Sequence, residues 1–156
     1  MASAISACSS EADWEIMAIR ILLVDDHPIV RQGLKTLLAG HPGWEVIGEA
    51  SDGMEAVAKA DSLRPDVMVL DVTMPRMNGL EACRLIRQKA PSMEILFVTQ
   101  HDSPQMMREA LDAGARGYVV KSNAARDLLE AVEAVSQHRV FTALNRRESV
   151  SHAEQV

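Results

Sequence analysis

Five short apolar runs, IRILLV (19–24), WEVIGEA (44–50), DVMVLD (66–71), EILFVT (94–99) and GYVVK (117–121), recur along the chain, with helical periodicity filling the gaps between them. Strand and helix patterns that alternate in this way specify βαβ units, since a parallel connection needs a crossover long enough to hold a helix. The expected architecture is therefore α/β and doubly wound: a parallel five-stranded sheet with helices on both faces. Val67 to Leu70 and Ile95 to Val98 are apolar at every position, as central strands covered on both sides require. Glu45 and Glu49 interrupt the second run and mark it as an edge.

The helices carry their own signals. Val30, Leu34, Leu37 and Leu38 space one apolar stripe, and Leu128, Leu129, Val132 and Val135 another. Ser103 before Pro104 reads as an N-cap followed by a first-turn proline, and Asn78 with Glu81 has the spacing of a capping box. Gly114 stands where a helix should stop in a left-handed cap. Residues 17–137 thus form one domain. Residues 1–16, rich in Ser and Ala without periodicity, read as a disordered lead that ends before Met17, and residues 138–156 as a polar tail or linker.

Charge and composition exclude several function classes. A net charge of -6 with a pI near 5.3 gives no basic field for nucleic acid or an anionic membrane by this chain alone. Arg20 and Asp25 bracket the strongest apolar run, far short of the roughly 18 residues of a membrane span. Cys8 and Cys83 are too few and too scattered for a disulfide framework or a zinc site, which fits a reducing cytoplasm. The opening MASAISAC lacks the basic start and apolar stretch of a signal.

In an open parallel sheet, ligands bind beyond the carboxyl ends of the strands, where the strand order reverses. Asp25 and Asp26 follow strand one, Asp71 ends strand three, Thr99 strand four and Lys121 strand five, while strand two ends in Ala50. With a strand order of 2-1-3-4-5, the acids of strands one and three converge. Carboxylates about 4 Å apart repel by roughly 4 kcal/mol per pair at an effective dielectric near 20, so a cation must sit among them. An oxygen-only site with open positions suits Mg²⁺, and Lys121 and Thr99 add a fixed positive charge and a hydroxyl. Together they describe a pocket for a dianionic phosphoryl group. His27 and His101 lie close by and receive no role, since Mg²⁺ prefers oxygen. Met74, Met77, Met106 and Met107 read as core and loop packing.

LVDDH (23–27), VLDVTMPRMNG (69–79), FVTQHD (97–102) and GARGYVVKS (114–122) resemble the receiver domain of two-component response regulators over about residues 19–136. The texture of DDHPIVRQGL and REALDAGARGYVVK is similar to the NarL/FixJ-like subfamily, which pairs a receiver with a LuxR-type helix-turn-helix. The resemblance implies a flavodoxin-like (βα)5 fold. It also implies that Asp71 accepts a phosphoryl group from a phosphohistidine on a sensor histidine kinase or phosphotransfer protein. Mg²⁺ would be held by Asp25, Asp26, Asp71 and the backbone carbonyl of Thr73, with Asp26 and Asp71 favoured as direct ligands. Thr99 and Lys121 would bind phosphoryl oxygens, and Tyr118 would be the aromatic whose rotamer follows Thr99. Output would pass through the face of the fourth helix, fifth strand and fifth helix, where a homodimer is open, and would regulate transcription in a full-length context.

Ser122 stands where many receivers carry a proline after the strand-five lysine, so a cis bond is not assumed and the isomer of the Lys121–Ser122 bond stays open. No second apolar pattern follows the last helix to build a helix-turn-helix. Two descriptions stay open at this point, an excised receiver and a stand-alone one working through protein contacts. A Mg²⁺-dependent aspartyl phosphohydrolase and a static pseudo-receiver are the competing classes.

Overall fold

A computed structural model describes residues 18–142. The lead and most of the tail, with Cys8, lie outside the described residues. Strands β1 (Ile19–Val24), β2 (Trp44–Ala50), β3 (Val67–Leu70), β4 (Glu94–Thr99) and β5 (Gly117–Val120) alternate with helices α1 (Pro28–Ala39), α2 (Gly53–Leu63), α3 (Gly79–Lys89), α4 (Pro104–Asp112) and α5 (Ala124–Ser136). A 3₁₀ turn, Lys121–Asn123, joins β5 to α5. All strand pairs are parallel and the order is β2-β1-β3-β4-β5, as the sequence predicts.

Alternate residues of the buried strands feed two cores. Leu22, Val24, Met68, Leu70, Ile95 and Phe97 pack under the small residues of α2, α3 and α4, such as Ala56, Ala82 and Ala110. Ile21, Leu23, Val67, Val69, Leu96 and Val98 meet Leu34 and Leu38 of α1 and Leu128, Val132 and Val135 of α5. β3 and β4 are buried along their whole length, whereas in β2 only Ala50 is. The predicted caps form. Ser103 accepts from the Met106 N–H, and Asn78 from the Glu81 N–H. Glu81 returns its carboxylate to the Asn78 side-chain amide, which completes the pairing. After α4, Gly114 at φ +112° lets its N–H reach the Leu111 carbonyl and the Ala115 N–H reach Ala110, satisfying two terminal carbonyls.

Two local expectations shift, and one open point is decided. The third and fifth strands, Val67–Leu70 and Gly117–Val120, are shorter than the runs that signal them. Asp66 accepts from the Arg20 N–H, and Lys121 opens the 3₁₀ turn. No described peptide bond is cis, so Lys121–Ser122 is trans. The largest difference is at the expected polar tail, whose first residues fold back. His138 adopts φ 63°, and Phe141 pairs in parallel with Gly117, its N–H donating to Arg116 and its carbonyl accepting from the Tyr118 N–H. Phe141 and Thr142 are buried. Glu94, buried at the start of β4, anchors the fold-back through His138 Nδ1 at 2.9 Å, with Arg116 and Arg87 on the same carboxylate.

Two outcomes follow. Phe141→Ala is expected to cost about 2 kcal/mol, below the usual range for a fully enclosed aromatic. It should also speed exchange of the Tyr118 amide, measured by hydrogen exchange. Cys83, on the core-facing side of α3, is fully enclosed, and burial pushes its thiol up to about 11 against the opposing charges of Arg87 and Arg84. It should resist alkylation at mildly alkaline pH until urea unfolds the chain, as peptide mapping would report. Because the folded value lies above the ordinary 9.0, the folded state keeps the proton longer, and this stability is lost as pH rises from 9.0 through about 11.

Candidate phosphoryl-acceptor site

The site lies at the carboxyl edge of the sheet, where β1 and β3 are neighbours and their crossovers leave to opposite faces. Each acid continues a strand's hydrogen-bond pattern by one residue: the Asp25 N–H donates to Ala50 and the Asp71 N–H to Val24. Both side chains are buried, Asp25 completely, and they face one ammonium group. Lys121 Nζ lies 2.8 Å from Asp25 Oδ2 and donates to Asp71 Oδ2 at 2.9 Å. Burial alone would lower the Lys121 pKa, but hydrogen bonds and charge from Asp25 and Asp71 outweigh it and raise the value above the ordinary 10.5. The other oxygen of Asp71 accepts from the Val72 N–H at 2.7 Å.

Asp25, Asp26, His27 and Asp71 each present a ligand atom, all within 4.8 Å of one another. Two buried oxygens of this group, Asp25 Oδ2 and Asp26 Oδ1, are met only at ion-pair distance, by Lys121 Nζ at 2.8 Å and His27 Nδ1 at 3.0 Å. One ammonium group does not neutralise three clustered carboxylates, and a hard divalent cation among their oxygens would supply the missing charge, so the acids present fit Mg²⁺. His27, given no role from sequence, places Nδ1 3.0 Å from Asp26 Oδ1.

The remaining predicted residues form a second group joined through His101. Thr99, fully buried, accepts from the His101 N–H at 3.4 Å. The Tyr118 hydroxyl donates to the His101 carbonyl at 2.5 Å, and the His101 ring shares a 2.8 Å hydrogen bond with the Thr73 hydroxyl. Tyr118 is itself buried, and burial, with Asp102 and Asp71 nearby, pushes its phenol up to about 12. One loop residue thus connects Thr73, Thr99 and Tyr118.

Sequence reasoning did not single out His101 as that junction, nor Arg31, whose guanidinium donates to the Asp25 carbonyl at 2.7 Å. The available signal for Arg31 was a cation on the first turn of the helix that follows two acids.

Backing for the loop after Asp71 comes from two glycines. Gly79 starts α3 with its N–H on the Val72 carbonyl, and a Cβ there would stand 2.0 Å from the Asp71 carbonyl oxygen. At the start of α2, Gly53 presses equally close to Met77 of the same loop.

Comparison with known proteins identifies the family of the chain. The profile of the family described as the response regulator receiver domain matches residues 21–133. The DNA-binding transcriptional activator DevR/DosR of Mycobacterium tuberculosis is 43% identical over 121 residues, 78% of this chain and 56% of that protein. The transcriptional regulatory protein DegU of Brevibacillus brevis is 39% identical over 119 residues, 76% of this chain and 50% of its own length. The chain therefore spans little more than half the length of these relatives. Among solved structures, a LuxR-family two-component response regulator from Aurantimonas sp. SI85-9A1 superposes with a TM-score of 0.80 at 37% identity, covering 89% of this chain and 99% of that one. The isolated receiver of RcsB from Salmonella enterica serovar Typhimurium, solved with phosphomimetic BeF3⁻, gives a TM-score of 0.74 at 28% identity, covering 80% and 92%.

Proposed function

The chain belongs to the response regulator receiver domains of two-component systems, and from that premise we propose that Asp71 accepts a phosphoryl group from the phosphohistidine of a sensor histidine kinase or phosphotransfer protein. The observation that carries this reading is the convergence of Asp71 and Asp25 on Lys121, beside a third acid, Asp26, whose ligand oxygen lies within 4.8 Å of theirs. A carboxylate is a weak nucleophile toward a dianion, so its approach needs neutralising charge already in place. Lys121 supplies one fixed charge, and the Thr99 hydroxyl a neutral donor. Asp25, Asp26, Asp71 and the backbone carbonyl of Thr73 would hold Mg²⁺, which when bound supplies the remaining neutralisation of phosphoryl oxygens.

In the transfer, an Asp71 oxygen forms a bond to phosphorus as the donor's N–P bond breaks, and the electron pair returns to the imidazole. The acyl phosphate adds about one and a half to two negative charges at the end of β3. Thr99 and Lys121 are drawn to it. Because Thr99 and Tyr118 share His101 as a hydrogen-bond partner, movement of Thr99 reaches Tyr118 and the face built from α4, β5 and α5. That face is the proposed output surface and the proposed homodimer contact. Ile29, 88% exposed on the first turn of α1 beside the acids, offers an apolar contact for the kinase or phosphotransfer partner. The setting is cytoplasmic, and regulation of transcription belongs to the full-length context, as in DevR/DosR and DegU. Hydrolysis of the acyl phosphate by the same domain resets it and is not turnover of a small substrate.

Treatment with acetyl phosphate and Mg²⁺ followed by intact-mass spectrometry tests the proposal. A gain of one phosphoryl group that disappears when Mg²⁺ is chelated is the expected result. Steady release of phosphate from a phosphomonoester with no mass gain would move the chain to the hydrolase class.

A further inference from the structure

Arg31 sits on the first turn of α1 with its side chain turned back over the end of β1. Nη1 donates to the Asp25 carbonyl at 2.7 Å, and Nε donates to Glu49 Oε1 at 3.0 Å. The second oxygen of Glu49 takes Lys35 Nζ at 3.2 Å, so the carboxylate that braces Arg31 is itself fixed on β2. Burial pushes the Glu49 carboxyl up, yet Arg31 and Lys35 together outweigh this and hold it below the usual range, so it stays charged as a brace.

The carbonyl that Arg31 holds belongs to the peptide joining Asp25 to Asp26, and the plane of that peptide sets the direction of both side chains. We propose that Arg31 is a positioning residue of the metal cradle: by fixing the Asp25–Asp26 peptide through its carbonyl, it keeps two adjacent, mutually repelling carboxylates aimed at one point. The inference rests on the reading of Asp25, Asp26 and Asp71 as a Mg²⁺ cradle and adds the residue that shapes it.

Charge and positioning predict opposite signs here, which makes the proposal testable. A guanidinium beside a cation site repels the cation, so on charge alone its removal tightens metal binding. On positioning, removal loosens binding. Mg²⁺ demands near-ideal octahedral geometry while Ca²⁺ tolerates irregular ligands, so misdirected carboxylates penalise Mg²⁺ more. Groups that orient metal ligands typically contribute about 10–100-fold to affinity.

The experiment is calorimetric titration of the full chain with Mg²⁺ alone and with Ca²⁺ alone, in the parent protein, Arg31→Met and Arg31→Lys. Arg31→Met is expected to raise the Mg²⁺ Kd by about 10–100-fold and the Ca²⁺ Kd by less. Arg31→Lys, which keeps the charge but lacks the fork that spans carbonyl and carboxylate, is expected to weaken Mg²⁺ in the same direction and by less. Unchanged or tighter Mg²⁺ binding in Arg31→Met overturns the proposal, as does equal weakening for both ions, the result of a general loosening. Should Arg31→Met not fold, Arg31→Lys with parental Mg²⁺ affinity overturns it. Failure of the parent chain to bind Mg²⁺ removes the cradle reading itself, an outcome separate from parental binding that the variants leave untouched.

Discussion

Asp71→Asn is expected to abolish the mass gain from acetyl phosphate, with no residual labelling above background. Asparagine keeps the shape of the side chain and its contact with the Val72 N–H, but its amide oxygen cannot form an acyl phosphate. The fold should survive. Lys121 keeps Asp25 as an ion-pair partner at 2.8 Å, and relief of one carboxylate from a crowded cluster offsets the lost pairing. Thermal midpoints should therefore stay close to the parent's, a stability change of about 1 kcal/mol or less. Labelling at the parental stoichiometry would place the acceptor on another residue. The same preparation, titrated with Mg²⁺, should bind it more weakly, since one of the three acids has lost its charge.

Gly79→Ala is expected to damage stability and phosphate uptake together. A Cβ at this position would stand 2.0 Å from the Asp71 carbonyl oxygen and 2.9 Å from the Phe97 ring. The first obstacle is backbone, with no flexible end to move aside, so either α3 retreats or the acceptor residue shifts. Forced repacking of a filled core costs about 1–3 kcal/mol, and the approach here puts Gly79→Ala near the upper end. Urea denaturation followed by the acetyl phosphate assay measures both effects. Parental stability would mean that the start of α3 yields more easily than its contacts imply. A destabilised chain that still takes up phosphate at the parental rate would mean that the shift spares Asp71.

The sheet and the acceptor edge were legible in the sequence because they rest on strong local signals. Val67 to Leu70 and Ile95 to Val98 can be continuous apolar runs only in strands buried on both faces, and the two acids and the lysine stand out as charges placed directly after such runs. Ser103, Asn78 and Gly114 advertise helix boundaries through chemistry that acts over three or four residues.

What escaped reading is long in sequence range or ordinary in residue type. Arg31 on a helix surface looks like any solvated cation until the fold brings Glu49 and the Asp25 carbonyl to it. The linking role of His101 resides mainly in its backbone, whose N–H and carbonyl serve Thr99 and Tyr118 whatever the side chain. Phe141 follows Val140 in an apolar pair too short to show a period, and its place was set by the open edge of β5 and by Glu94, neither visible from residues 138–142 themselves. Glu94 reads as the polar first residue of a strand; enclosure by Arg87, Arg116 and His138 makes it a buried carboxylate.

The fold-back at residues 138–142 carries a geometric consequence. Phe141 lies beside the first residue of β5 and His138 beside the first residue of β4, so the described chain finishes at the pole of the molecule opposite Asp71. The length of β5, about 13 Å for its four residues, separates that segment from the acid-bearing edge. Tyr118 is tethered at both levels, by its hydroxyl to the upper loop and by its amide to the returning segment. A single side chain and its own peptide thus bridge the loop after β4 and the returning segment.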